Sequence, residues 1–101
     1  MPWMIETYDR SGSGDLRLQL RPAHLEYLEA NRRLLLACGA KLDDRGEAAS
    51  GGLYLLAVES RAEAEAFIAA DPFHKGNLFE RVTVTRWRKA FFDGRNTLNE
   101  D

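Results

Sequence analysis

The chain lacks most of what would anchor, staple or break it. Its single cysteine, Cys38, cannot form an internal disulfide, so a disulfide scaffold is excluded and a reducing compartment fits. No apolar run approaches the roughly 20 residues needed to span a bilayer, and no membrane partner is expected. No surplus of positive charge is present: 14 Lys and Arg stand against 16 Asp and Glu, for a net charge of −2. Nucleic-acid binding, which usually needs a basic surplus, is disfavoured. The first six residues reach Glu6 too early for a signal peptide, and the protein is expected to be cytoplasmic. Histidine is scarce, with two in 101 residues, a weak base for a metal centre. No glycine loop ends in the Gly-Lys-Ser/Thr of a phosphate cradle; the Asp9–Asp15 stretch reads as a flexible connector, with an anion site on its backbone N–H groups as the alternative. Neither a metal nor a cofactor is expected.

What remains is ordinary globular material, 45% hydrophobic and 30% charged, enough for one modest core. One domain is expected over 1–92, with a polar and frayed tail over 93–101. Residues 3–8 read as a strand rich in aromatic and β-favouring types. A helix follows over 16–34, its regular part starting at Pro22, which suits a first helical turn better than an interior. Leu25, Leu28 and Leu35 group on one side, and His24 falls on or beside that stripe. Residues 34–40 lead into a second strand, and 42–52 form a long polar connection. Residues 53–58 form a third strand whose two alternating sets, Leu53, Leu55, Ala57 and Tyr54, Leu56, Val58, are both apolar. It should therefore be covered on both faces. Ser60 and Glu63 make a capping box for a short helix over 62–70. Asp71 follows Phe67 by four residues, on the same inward side, and Pro72 ends the helix. Residues 81–89 alternate as a last strand, Val82 and Val84 to one face and Thr83, Thr85 and Trp87 to the other.

The order is β-α-β-β-α-β. Two right-handed crossovers in this order predict a ferredoxin-like α+β fold: four antiparallel strands with both helices on one face. The uncovered sheet face then predicts a homodimer packed sheet to sheet. In a monomer, Tyr54, Leu56 or Val58 would face water.

Asp71 reads as a carboxylate at a helix C-terminus, where it opposes the helix dipole. A cationic or hydrogen-bonding partner would offset that, and His24 is the available candidate. A histidine held by a carboxylate has a defined tautomer and suits general acid–base work. The bland alternative is a turn-capping Asp71 and a satisfied semi-buried His24. His74 reads as a second acid–base group, a metal ligand or a plain loop histidine. Arg21 and Arg10 are candidates to hold an anionic ligand, and Tyr8, Tyr27 and Phe73 to line a pocket. Cys38 reads as a small buried hydrophobe.

Arg21-Pro22-Ala23-His24-Leu25 in the first helix and Asp71-Pro72-Phe73 after the second, set in this element order, resemble the YciI-like proteins of the dimeric α/β-barrel superfamily over about residues 3–91. The resemblance implies a homodimer with a pocket between helices and sheet, holding a His–Asp pair at His24 and Asp71. Similar members include a dehydrochlorinase acting on a chlorinated hydroxyquinol, and the wider superfamily includes muconolactone isomerases. The chain departs from the family pattern at Gly76-Asn77 and at Gly39-Ala40. The expected function is a small cofactor-free enzyme performing elimination or isomerisation on a small cyclic substrate. The alternatives are a non-catalytic ligand-binding or sensor module and an assembly domain.

Overall fold

Alternating apolar positions build the sheet in the computed structural model, which describes residues 2–99 apart from the side chain of residue 49. The strands β1 (Trp3–Asp9), β2 (Leu35–Leu42), β3 (Ala48–Leu56) and β4 (Phe79–Arg86) form one antiparallel sheet in the order β2-β3-β1-β4. The helices α1 (Gly14–Ala30) and α2 (Arg61–Ala69) lie on one face, with a single helical turn, α3 (Pro72–Lys75), after them. This is the ferredoxin-like α+β arrangement.

The inward set of β1 is Trp3, Ile5 and Thr7, all buried, and that of β3 includes Tyr54 and Leu56, 2% and 0% exposed. Together with Ala64, Phe67, Ile68, Phe73 and Leu78 they form the core. The strand parity expected for an uncovered face is thus corrected. Tyr54 and Leu56 face the helices, Val58 is buried beyond the strand end, and Leu53, Leu55 and Ala57 turn to the open face. Both sets are apolar, so hydropathy alone does not choose between them.

Other boundaries differ for local reasons. Helix α1 begins at Gly14, with Pro22 inside it. Pro22 removes one backbone donor, but it and the residue four before it, Leu18, are exposed, where water can take the lost bond. The helix stops at Ala30, a 3-10 turn covers Arg32–Leu34, and Leu35 belongs to β2. Strand β3 starts at Ala48, which shortens the connection to a tight turn held by Asp43. Gly51, with φ of +135°, makes this possible: a Cβ there would lie 1.9 Å from the Thr7 carbonyl oxygen. After β4, Phe91–Phe92 (β5) and Arg95–Asn96 (β6) pair as a hairpin turned by Asp93 and Gly94 at positive φ. Thr97 closes it with bonds to the Ala90 and Lys89 carbonyls, at 2.8 and 2.9 Å. The stretch expected to fray thus carries a short hairpin, and residues 100–101 lie outside the described residues.

Candidate active site

Asp71 is the centre of the site, and its position comes from a junction misread in sequence. Helix α2 ends with Ala70 as its C-cap, and Asp71 is the N-cap of α3, with extended backbone, accepting from the Phe73 backbone N–H at 2.8 Å. Pro72 occupies the first helical position, where a missing N–H costs nothing. The carboxylate therefore has a favourable helix end, rather than the unfavourable one expected. Asp71 is fully buried, and burial of a carboxylate requires donors. Three are supplied. The Phe73 N–H reaches Oδ1, the Tyr54 hydroxyl donates to Oδ2 at 2.8 Å, and His24 Nδ1 lies 2.9 and 3.0 Å from the two oxygens.

This network sets the imidazole. A carboxylate only accepts, so His24 Nδ1 carries the proton toward Asp71. Nε2, on the far edge of the ring, makes no hydrogen bond to the described residues. The ring is 8% exposed and stacks on Phe73, with centroids 3.8 Å apart and planes 12° from parallel. Burial, then the Asp71 charge, push the Tyr54 hydroxyl well above the ordinary tyrosine range, so it remains a donor.

Beside the imidazole lies a cavity of about 170 Å³ between α1, β2, β3 and α3. Helix α1 contributes Arg17, Arg21, His24, Leu25 and Leu28, and Phe73 closes one end. The sheet side is lined by Cys38, Gly39, Ala40, Gly52 and Tyr54. Those sheet residues are mostly small, which leaves space under α1. Cys38 is exposed as a residue, correcting the expectation of a buried one. Desolvation of its thiol, then the Asp71 charge, push it up to about 11, so near neutral pH it is a thiol and a poor nucleophile.

The structure brings together His24, Asp71, Phe73 and Arg21, and separates Tyr8 and His74 from them. Tyr8 follows the inward Thr7 and turns to the open face, its ring 3.8 Å from Lys41 Nζ and 3.9 Å from Arg81 Cζ. His74 is exposed on α3, and among the described residues its ring meets only the edge of Phe79. Tyr27 is spent on the Phe67 carbonyl, at 2.7 Å. Arg10 bonds Asn77, which adopts the left-handed backbone its position requires, with φ of 65°. Of the cavity residues that the sequence does not point to, Tyr54 and Arg17 matter most. Tyr54 was read as a sheet residue only. Arg17 was placed ahead of the regular helix, yet Arg17, Arg21, His24 and Leu28 recur at spacings of four, three and four, the signature of one helical stripe.

Fold and cavity define a ferredoxin-like domain with a His–Asp pair set between helix and sheet. A family model described as YCII-related domain matches residues 1–88, and the chain belongs to that family. It is 34% identical over 98 residues to Protein YciI of Escherichia coli and of Shigella flexneri, covering 90% of this chain and 100% of each relative. Among solved structures it is similar to the 5-chloro-2-hydroxyhydroquinone dehydrochlorinase TftG from Burkholderia phenoliruptrix AC1100, determined in complex with 2,5-dihydroxybenzoquinone. That match has a TM-score of 0.78 and 33% identity, over 87% of this chain and 94% of that one. An antibiotic biosynthesis monooxygenase, at 17% identity and a TM-score of 0.51, covering 86% of this chain and 95% of that one, shares the fold alone.

Proposed function

We propose that this protein is a small acid–base enzyme, a lyase or isomerase, acting on a one-ring substrate. The carrying observation is His24 Nδ1 anchored to a buried, three-fold hydrogen-bonded Asp71, which leaves Nε2 as the group free to accept a proton. In an elimination, Nε2 takes a proton from a ring hydroxyl or from a carbon next to a carbonyl. The electron pair left behind expels a leaving group on the ring, with net loss of HX. In an isomerisation the same imidazolium returns the proton at another carbon. Asp71 orients the ring of His24 and faces the positive charge it acquires. Support comes from the cavity size, since a cavity of about 150 Å³ accommodates benzene, and from the similar dehydrochlorinase. The test is chloride release from 5-chloro-2-hydroxyhydroquinone, with a muconolactone as the isomerisation probe. His24→Ala should lower turnover by about 10²–10⁴-fold with the circular dichroism spectrum retained. Unchanged turnover removes His24 from the chemistry, and a wild-type protein inert on both probes favours a non-catalytic binding module.

The open sheet face completes the reading: two copies pack sheet to sheet as a homodimer. Leu53 is 38% exposed there, and Ala37, Gly39 and Leu55 surround it as a shallow apolar depression. Apolar surface of this kind usually marks an interface. Light scattering should give twice the chain mass of 11.4 kDa, and Leu55→Arg should halve it. A wild-type particle of single mass would sink the dimer.

A further inference from the structure

The cavity holds two cationic groups that the acid–base chemistry does not use. Arg17 is the better anchored. Its side chain is 13% exposed, its Nε donates to Asp9 Oδ2 at 2.7 Å, and its guanidinium carbon lies 4.7 Å from the Phe73 ring centroid. Asp9 is itself nearly buried, at 9% exposed. A guanidinium gripped through Nε presents its opposite edge, the two terminal amino groups, as a fork. Neither makes a hydrogen bond to the described residues. Arg21, one turn further along α1, also lines the cavity and is exposed. No ion pair to it is found among the described residues.

The polar inventory of the cavity is therefore one-sided. Asp71 is saturated by its three donors, and the Tyr54 hydroxyl is spent on it. What the cavity lining offers a ligand is one ring acceptor, His24 Nε2, the weakly polar Cys38 thiol and two guanidinium groups, of which Arg17 is the one held in place and carries a planar donor fork that suits an oxygen anion. We infer that Arg17, positioned by Asp9, is the recognition residue for an ionised oxygen on the ring substrate, so that the substrate class is anionic hydroxylated rings such as phenolates and enolates. This rests on the acid–base reading for the word substrate, while anion recognition at the cavity stands apart from it. The order along α1 supports the assignment. Seven residues of helix separate Arg17 from His24, about 10 Å of rise, and the length of the arginine side chain lets a single ring bridge fork and imidazole.

The experiment compares two ring compounds by titration calorimetry. 2,5-Dihydroxybenzoquinone is a vinylogous acid and an anion at neutral pH, and hydroquinone is a ring of the same size with neutral hydroxyls. Wild-type protein is expected to prefer the anion. Arg17→Gln should weaken the anion about tenfold to a hundredfold, the range for a hydrogen bond to a charged group, and leave hydroquinone unchanged. Because Arg17→Gln strips a nearly buried Asp9 of its partner, Arg17→Lys and Asp9→Asn are run beside it. Lys keeps the charge but not the fork, and Asp9→Asn keeps an acceptor but loosens the grip. Both should reduce the preference for the anion without reducing hydroquinone binding, a selectivity a merely structural role would not move. His24→Ala should retain the preference, which separates this inference from the catalytic one. Equal loss of both compounds in the Arg17 variants, or a wild-type protein that shows no anion preference or binds neither compound, overturns it.

Discussion

Helices α1 and α2 cover the same sheet face, and they divide the work between them. Helix α2 is nine residues long and buries Ala64, Phe67 and Ile68 against β1 and β4. Helix α1 is seventeen residues long, and its only buried residue is His24. It packs mainly on α3. The sequences explain the difference. Alanines in α2 let its axis approach the sheet, so Phe67 and Ile68 reach the core. In α1 the stripe turned toward β2 and β3 carries Arg17, Arg21 and His24, groups that cannot be pressed against an apolar sheet without their solvation. That helix stands off, and the gap is the cavity. Stability is concentrated in the shorter helix and chemistry in the longer one.

The most direct way to break this comparison is to truncate one side chain on each helix. Phe67 is 5% exposed and touches Tyr27 and Tyr54, at ring centroid distances of 5.2 and 6.0 Å. Phe67→Ala should cost about 3–5 kcal/mol, the sum of lost transfer energy and the hole left behind. Leu25, on the cavity side of α1, is 43% exposed, and Leu25→Ala should change stability by about 0.5 kcal/mol or less. Urea midpoints at unchanged slope measure both. Comparable losses at the two sites would mean that α1 is packed as tightly as α2, contradicting a cavity beneath it.

The division also explains what the sequence revealed. Packed elements were readable because their signals are local. Residues 3–8 are rich in aromatic and β-favouring types, Ser60 and Glu63 cap α2 as expected with the Glu63 N–H donating to Ser60 Oγ at 3.1 Å, and Phe67 marks the inner side. The stand-off side was harder, because its signals conflict. Pro22 in a solvated helix interior moved the expected helix start past Arg17 and hid the stripe. In sequence Asp71-Pro72 looks like the end of one helix, although the same pair is the standard opening of another. The helix-dipole reason for pairing Asp71 with His24 fails with this error, and the pairing survives because it also rests on which side each residue faces and on the family resemblance. Tyr8 looks like a pocket residue in sequence, although Glu6, of the same parity, points that set outward. His74 was assigned there because histidine suggests chemistry, yet nothing in its spacing turned it inward. The faces of β3 were not readable at all, since both sets are apolar and only the packed helices distinguish them.

A smaller effect sharpens the boundary between the two helices. Tyr54 stands on it, touching Phe67 of α2 with its ring and holding Asp71 with its hydroxyl. Tyr54→Phe removes one of three donors to a buried carboxylate without opening a large hole, and should cost about 1.5–3 kcal/mol. The variant also has a pH signature. Burial first, and Asp71 second, raise the Tyr54 hydroxyl above its ordinary value, so above about pH 10 the unfolded chain releases a proton that the folded chain retains. The sign is then unambiguous. Stability from this group is complete below pH 10 and falls as pH rises beyond it, by up to about 1.4 kcal/mol per pH unit. Cys38 and Tyr27, also raised, add to the same alkaline loss and remain in the variant. Tyr54→Phe should therefore start lower than wild type near neutral pH and lose stability less steeply above pH 10, so that the two curves converge. Parallel curves across that range would show that the Tyr54 hydroxyl is not held in a buried bond to Asp71, and the site would lose the donor that links sheet to dyad.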